Sequence, residues 1–116
     1  YAGIAAMNTP RDWFKDILKE YDRRRRLWMQ TLDEIGIPYS YPQGAYYVFI
    51  DIRPTGLSSA AFVKRAREEA RLVFQPGTIG GGAGEGFIRG ALTTASPTFE
   101  EGLERFKDFI QKLRGA

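Results

Sequence analysis

The sequence predicts an α+β domain in which helices cover a small, mainly antiparallel sheet. Long segments with apolar residues at helical spacing lie near the start and at the end of the chain. Between them lie a short continuous apolar run and a second short run that follows a glycine-rich segment. The predicted order is helix, strand, helix, strand, strand, helix, which suits a layer of helices on one small sheet.

The first long helix is predicted from Pro10 to Ile35. Thr9 is the expected N-cap, Pro10 suits the first helical position, and Asp12 completes a Thr-x-x-Asp capping box. Gly36 follows as a C-terminal cap. At about 1.5 Å per residue this helix is about 39 Å long, enough to span a small domain. Its apolar stripe comprises Trp13, Ile17, Tyr21, Trp28, Leu32 and Ile35.

The middle of the chain contains a predicted strand and a shorter predicted helix. The run Tyr46–Ile52 is apolar on both faces except at Asp51, which predicts a central strand buried on both sides. After a turn, Ser58 or Ser59 is expected to cap a second helix that ends near Glu69.

Two further strands and a last helix complete the predicted fold. The segment LVFQ, residues 72–75, is predicted as a short strand, and a third strand over residues 87–94 follows the glycine-rich segment. Ser96 and Pro97 repeat the start signals of the first helix, and the last helix is predicted from there to the chain end. Its apolar stripe comprises Phe99, Leu103, Phe106, Ile110 and Leu113.

The composition limits the chemistry that this chain can perform. Its 116 residues, 43% hydrophobic and 27% charged, suit one domain with one core. The absence of cysteine and histidine excludes disulfides, a thiol nucleophile, an imidazole base and the commonest zinc ligands. No signal peptide or membrane-length apolar run is evident, so we expect no membrane partner and a cytoplasmic location. Because the chain starts at Tyr1 and reads like the tail of a helix, we expect a fragment of a longer protein.

Four consecutive arginines, Arg23–Arg26, lie within the first predicted helix. On a helix, four consecutive side chains point around most of the circumference and cannot form one flat phosphate-binding face. We therefore interpret the run as a solvated or salt-bridged surface and expect no nucleic-acid partner.

The glycine-rich segment does not fit the known phosphate-binding patterns. Seven glycines lie from Gly77 to Gly90, but the dinucleotide-binding spacing is broken at Phe87 and no Gly-Lys pair occurs. The segment also leads into a predicted strand, so no helix N-terminus is available for an anion. A connection of tight turns is the simpler interpretation.

Arg89 is the candidate functional residue. It lies in the middle of an apolar strand, where a guanidinium is costly to bury unless it meets an anion. The anion is either an internal carboxylate, such as Glu85 or Asp51, or the carboxylate of a ligand. The planar fork of arginine suits the second role, because it can bind a carboxylate through two parallel hydrogen bonds.

Three motifs occur in a fixed order along the chain. The first is YAGIAAM followed by Tyr21, Arg24, Arg25, Leu32 and Gly36; the second is PQGAYYVFIDI; and the third is PGTIGGGAGEGFIRGA. Together they resemble the C-terminal small domain of fold-type I pyridoxal-phosphate-dependent aminotransferases, the aspartate aminotransferase superfamily. The resemblance extends over essentially the whole chain. Residues 1–116 are thus expected to form one small domain, in which residues 1–9 are the remnant of an inter-domain helix and linker.

The resemblance implies roles for two residues. Arg89 would bind the α-carboxylate of an amino-acid or 2-oxo-acid substrate, and Gly44 would let the backbone approach that substrate. It also implies pyridoxal 5'-phosphate, bound mainly by a large domain absent from this chain, and a homodimer. No lysine here lies in the family's active-lysine context, so the chain alone is expected to be inactive. Gly80 stands where the family usually has Phe, which alters the expected loop and side-chain pocket.

The preferred function is amino-group transfer between an amino acid and a 2-oxo acid. Arg89 would orient the substrate, and closure of this domain would exclude water. Two alternatives stay open. The chain could be the small domain of another fold-type I enzyme, such as a lyase, synthase or decarboxylase, or a free-standing, non-catalytic binding or assembly module.

Overall fold

The computed structural model describes residues 1–115, in which four α-helices and one four-stranded antiparallel sheet confirm the predicted α+β class. The sheet order is β1-β2-β4-β3, so that β2 and β4 are the inner strands. The helices are α1 (Ala2–Asn8), α2 (Asp12–Ile35), α3 (Ser59–Ala70) and α4 (Thr98–Gly115). The strands are β1 (Tyr39–Ser40), β2 (Tyr47–Asp51), β3 (Gln75–Pro76) and β4 (Phe87–Ala91).

The hydrophobic core lies between the helices and one face of the sheet. Val48, Ile50 and Ile88 are fully buried on this inner face. Gly90 lies on the same face, where a Cβ atom would come 3.0 Å from the Trp28 indole, so glycine lets α2 approach the sheet closely. Aromatic rings fill the centre of the core, at centroid separations of 5.2 to 6.4 Å: Trp28, Phe62, Phe74, Phe106 and Phe109.

The opposite face of the sheet is only half-buried, and we call it the outer face. It carries Tyr47 and Phe49 from β2 together with Phe87 and Arg89 from β4. The predicted burial of β2 on both sides is therefore wrong within this chain. The helices that pack on the sheet lie on its inner face, and no helix within residues 1–115 covers the outer one.

Helix α2 begins two residues later than predicted. Arg11 is its N-cap and makes no side-chain capping bond, so the predicted Thr9 box is wrong. Thr9 instead ends α1, and its hydroxyl donates a hydrogen bond to the Ala5 carbonyl at 2.7 Å. The extended conformation of Thr9 follows from Pro10, which disfavours helical geometry in the residue before it. Gly36 ends α2 in the left-handed conformation, as predicted.

The strands are shorter than the apolar runs that predicted them. Only Gln75 and Pro76 pair in β3, whereas Phe74 of the predicted LVFQ strand is buried in the core. Strand β4 ends at Ala91 instead of residue 94, and the two-residue strand β1 was not predicted. Pairing partners set these boundaries, and they lie far away in sequence. Helix α3 does start as predicted, because the Ser58 hydroxyl accepts a hydrogen bond from the Ala61 amide.

The first 19 residues project from the body of the domain, and we call them the N-terminal arm. None of their side chains is buried, although several are large and apolar. Trp13 is 53% exposed and Ile17 is 40% exposed, so this half of the predicted α2 stripe has no partner among residues 1–115. The buried part of α2 begins at Trp28. No helix within residues 1–115 is long and apolar enough to cross a membrane.

The four arginines of α2 all form ion pairs, which confirms the salt-bridged surface. Arg23 and Arg24 contact Glu20, while Arg25 and Arg26 contact Asp22. Arg24 and Arg25 are also half-buried. Arg24 donates to the Leu92 carbonyl at 2.7 Å, and Arg25 donates to the Pro42 carbonyl at 3.2 Å. The pair thus anchors the segments just before β2 and just after β4.

Candidate functional site

Arg89 lies on the outer face, in the middle of β4. Strand pairing places it opposite Phe49 of β2 and Gln75 of β3. Its guanidinium carbon lies 4.2 Å from the centroid of the Tyr47 ring, which supports it from one side. On the other side, its Nη2 donates a hydrogen bond to the Gln75 side-chain oxygen. Both of these neighbours are uncharged.

Arg89 differs from the other half-buried arginines in having no acidic partner. Within residues 1–115, the half-buried arginines are Arg24, Arg25, Arg65 and Arg89. The first three each form an ion pair with a carboxylate, at 2.5 to 3.0 Å. Arg89 forms none with any described residue. Its charge is therefore left without compensation inside the domain.

The two internal carboxylates proposed as partners for Arg89 are engaged elsewhere. Asp51 accepts three hydrogen bonds from Arg53, the shortest at 2.6 Å, and these hold the pKa of Asp51 below its usual value. Glu85 accepts a hydrogen bond from the Ser59 backbone amide at 2.9 Å. The internal-carboxylate alternative is thus wrong for both residues, and the binding of an external anion stays a prediction.

One nitrogen of the guanidinium is both buried and unpartnered. The Nε atom of Arg89 is shielded from solvent and has no hydrogen-bond acceptor in the described part of the chain. Such a group is costly unless a further partner satisfies it. Beside the guanidinium is an open pocket in which Arg89 is the one charged residue. Its other lining residues are Phe49, Pro76, Gly77, Ile79, Gly80, Ala83 and Gly84.

The glycine-rich segment forms one wall of this pocket. It contains two short 3₁₀ turns, Gly77–Gly80 and Gly82–Gly84, and then enters β4. The backbones of Gly77 and Gly84 touch so closely that a Cβ atom on either would overlap the other. The glycines therefore let the chain fold back on itself and enter β4 at the point that presents Arg89.

Gly44 lies apart from the pocket. It belongs to the loop before β2, five residues before Phe49, which is the residue opposite Arg89. Gly44 is exposed and does not line the Arg89 pocket, and a Cβ atom on it would meet nothing within 4 Å. Nothing in this chain requires glycine there, and its role toward a substrate remains a prediction.

The sequence did not indicate the neighbours that hold Arg89 in place. Gln75 contacts Arg89 because β3 pairs with β4, a register that no local pattern encodes. Tyr47 lies in the predicted strand Tyr46–Ile52, and the position of Arg89 over its ring adds a cation–π contact that the strand pattern did not indicate. The available signal was the alternation of side chains along β2 and β4. It places Tyr47 and Arg89 on the same face of the two paired strands, and Tyr47 lies opposite Ala91, two residues after Arg89.

Pyridoxal phosphate does not fit the residues of this chain alone. In aminotransferases this group is held covalently by a lysine, yet no lysine lines the Arg89 pocket. Five lysines lie on α2, α3 and α4, and none of them is buried: Lys15, Lys19, Lys64, Lys107 and Lys112. Lys15 pairs with Asp12, and Lys107 pairs with Glu34 and Glu104. What this chain does supply to the pocket is the positive charge of Arg89.

Comparison with known proteins assigns the chain to a family. The family model described as aminotransferase class I and II matches residues 1–106. The chain is 38% identical to the aromatic-amino-acid aminotransferase 2 of Thermococcus litoralis and to an aspartate aminotransferase of Pyrococcus abyssi, over 98% of its own length and 30% of theirs. The crystal structure of an aromatic aminotransferase from Pyrococcus horikoshii superposes with a TM-score of 0.87 and 39% identity, over 95% of this chain and 30% of that one. The chain therefore spans about 30% of the length of these relatives. It belongs to the class I and II aminotransferase family.

Proposed function

We propose that this chain is the substrate-binding small domain of a longer, pyridoxal-phosphate-dependent aminotransferase. The enzyme would transfer an amino group between an amino acid and a 2-oxo acid, with Arg89 binding the α-carboxylate. The observation that carries this proposal is the half-buried Arg89 guanidinium, which has an unpartnered Nε and no acidic partner. Family membership supplies the reaction class.

The geometry around Arg89 suits a carboxylate. Gln75 occupies one Nη2 hydrogen, and the Tyr47 ring lies beneath the guanidinium. The Nε edge is left free, and that edge of arginine can bind both oxygens of a planar carboxylate. Two hydrogen bonds would fix the position and plane of the carboxylate, which helps to orient the Cα–H bond for deprotonation.

The rest of the proposed enzyme would cover the outer face. Residues 1–9 would form the inter-domain helix and linker, and a large domain and second subunit would approach the exposed side of Arg89. The half-buried aromatic residues of the outer face and the apolar side chains of the N-terminal arm support this arrangement, because a covering partner would bury them. Pyridoxal phosphate would be held mainly by that large domain and would supply the electron sink for the reaction.

Replacing Arg89 by lysine in the full-length enzyme tests the proposal. Lysine keeps the charge but loses the planar fork. We expect Arg89→Lys to lower kcat/KM by roughly 10- to 100-fold, since a hydrogen bond to a charged group contributes about 1.5–3 kcal/mol. Steady-state kinetics with an amino acid and a 2-oxo acid measure the effect. The 116-residue chain assayed in parallel is expected to transfer no amino groups, because the catalytic lysine would lie in the large domain.

A matched control separates carboxylate binding at Arg89 from the general effect of replacing an arginine by a lysine. Arg105 is exposed, lies on α4 and forms no ion pair within the described residues. We expect Arg105→Lys to leave kcat/KM unchanged. A wild-type value for Arg89→Lys would overturn the assignment of Arg89. Activity of the full-length enzyme with amino acids but without dependence on a 2-oxo acid would instead indicate a lyase or decarboxylase.

A further inference from the structure

Ser59 contacts the end of the glycine-rich segment although the two are far apart in sequence. It is the first residue of α3 and is fully buried, which is unusual for a serine. Its hydroxyl oxygen accepts hydrogen bonds from the amides of Gly86 at 2.8 Å and Phe87 at 3.1 Å. The hydroxyl hydrogen points toward the Gly84 carbonyl, 3.5 Å away. One hydroxyl group thus uses its full hydrogen-bonding capacity on three residues around the entry to β4.

Glu85 makes a second contact between the same two segments, in which α3 is the donor. Its side-chain carboxylate accepts a hydrogen bond from the Ser59 backbone amide at 2.9 Å. That amide is one of the N–H groups at the start of α3 that have no acceptor within the helix, and a negative charge is favourable there. The start of α3 and the end of the glycine-rich segment are therefore joined in both directions. We call this pair of contacts the Ser59–Glu85 clamp.

The clamp is not required to cap α3. Ser58 already provides the ordinary N-cap, because its hydroxyl accepts from the Ala61 amide at 3.1 Å. The clamp instead fixes Gly86, whose carbonyl also accepts from the Ile52 amide at 2.9 Å. Gly86 has a φ of +89°, and a Cβ atom on it would come 2.6 Å from the Arg53 side chain. The backbone three residues before Arg89 is thus held at one place by contacts from two directions.

We propose that Ser59 and Glu85 are positioning residues for carboxylate binding at Arg89. The clamp holds the entry to β4, and thereby the guanidinium, at its place beside the pocket that Arg89 lines. This inference rests on the proposed function of Arg89. No residue of α3 lines the pocket. Under this inference, the first residue of α3 nevertheless holds the site in the geometry that binds the ligand.

Acetate binding to the 116-residue chain tests the proposal. The Nε–H resonance of Arg89, assigned with Arg89→Lys, is followed by NMR during titration with sodium acetate at constant ionic strength. The backbone amide resonances of β2 and β4 are followed in the same titrations, because they also report binding in Arg89→Lys, which lacks the Nε–H group. We expect Ser59→Ala to raise the acetate Kd by about fivefold or more, since it removes the acceptor for two backbone amides. Ser58→Ala is the matched control, because it removes a hydroxyl from the same helix start without touching the clamp. It is expected to leave Kd within about twofold of wild type, although it also lowers the stability of α3.

A second pair of variants keeps the test decisive if Ser59→Ala fails to fold. Glu85 is exposed, so its replacement leaves the core intact. Glu85→Gln keeps an acceptor oxygen and should retain most of the affinity, whereas Glu85→Ala should raise Kd as Ser59→Ala does. Equal acetate affinity in Glu85→Ala, Glu85→Gln and wild type, with binding abolished in Arg89→Lys, would overturn the clamp but leave the role of Arg89 intact. Unchanged acetate binding in Arg89→Lys would overturn the proposed function itself, and the inference with it.

Discussion

The two groups that hold the Arg89 guanidinium in place are both uncharged. Gln75 accepts a hydrogen bond from Nη2, and the Tyr47 ring lies 4.2 Å from the guanidinium carbon. A neutral acceptor orients arginine without compensating its charge, whereas a carboxylate at the same place would compete with any ligand. The other half-buried arginines, which do have carboxylate partners, serve the internal structure of the domain.

The charge of residue 75 should therefore control the affinity of the site. We expect Gln75→Glu to weaken carboxylate binding by up to about fivefold, because an exposed ion pair contributes up to about 1 kcal/mol and must be broken by the ligand. Gln75→Met removes the acceptor without adding charge and should stay within about twofold of wild type. Acetate titration of the Arg89 Nε–H resonance compares the variants. An equal effect of glutamate and methionine would show that charge at this position has no influence.

At the scale of the elements, local patterns predicted the helices and the existence of β2 and β4 but not the strand ends. Apolar spacing in α2 and α4 and the Ser58 cap of α3 are encoded within a few residues. In contrast, the partners of Arg89 and Gly86 are Gln75 and Ser59, which lie 14 and 27 residues away. Arg89 itself could be identified because a charge in an apolar strand is a local signal. Its neighbours could not, because strand register and helix–loop contacts form only in the folded chain.

The close approach of Gly77 and Gly84 predicts that alanine substitutions at Gly84 and at Gly80 differ in their effect on the free energy of unfolding. Gly84→Ala would place a Cβ atom against the Gly77 backbone, and we expect it to lower the free energy of unfolding by about 1–3 kcal/mol. Gly80→Ala has open space around it and no positive φ, so it should change stability by less than about 1 kcal/mol. Urea unfolding of the two variants measures the difference. Equal stability of both variants would contradict the tight contact.

Ion pairs on α2 predict how stability depends on pH. Hydrogen bonds from Arg23 and Arg24 lower the pKa of Glu20 to about 2 from a model-peptide value of 4.5. A carboxylate whose pKa is lower in the folded state stabilises the fold above the unfolded pKa. That contribution is lost as the pH falls from about 4.5 to about 2. As the pH falls over this range, the urea concentration at the unfolding midpoint should decrease. The decrease should be less steep in Glu20→Gln. An identical pH profile for the variant would show that this pair does not contribute.

At the scale of the whole molecule, the domain has a closed core and two open surfaces. The core residues lie between the helices and the inner face of the sheet, whereas the outer face and the N-terminal arm have no cover within the chain. The domain is elongated, with a longest dimension of 54 Å, partly because the arm extends from it. An apolar surface of this kind favours association with another surface that can bury it.

The exposed arm should make the 116-residue chain self-associate. We expect sedimentation velocity to show a weight-average mass that rises with protein concentration, because association removes Ile17 and its neighbours from water. Ile17→Glu should reduce this rise. Val73→Glu is the matched control, since Val73 is 83% exposed but lies outside the arm. A monomer at every concentration would contradict the expectation.

Substitutions on the two faces of the sheet are expected to differ in their effect on stability. On the inner face, Val48, Ile50 and Ile88 are fully buried, so nearly every substitution there lowers stability. The outer-face residues Tyr47 and Phe49 are only half-buried, and they alternate with those core residues along the same strand. A mutation can therefore alter the surroundings of the proposed carboxylate site while the adjacent position continues to maintain the fold. Libraries restricted to the outer face should retain a high fraction of folded members, which makes this domain a favourable starting point for evolving new ligand preferences.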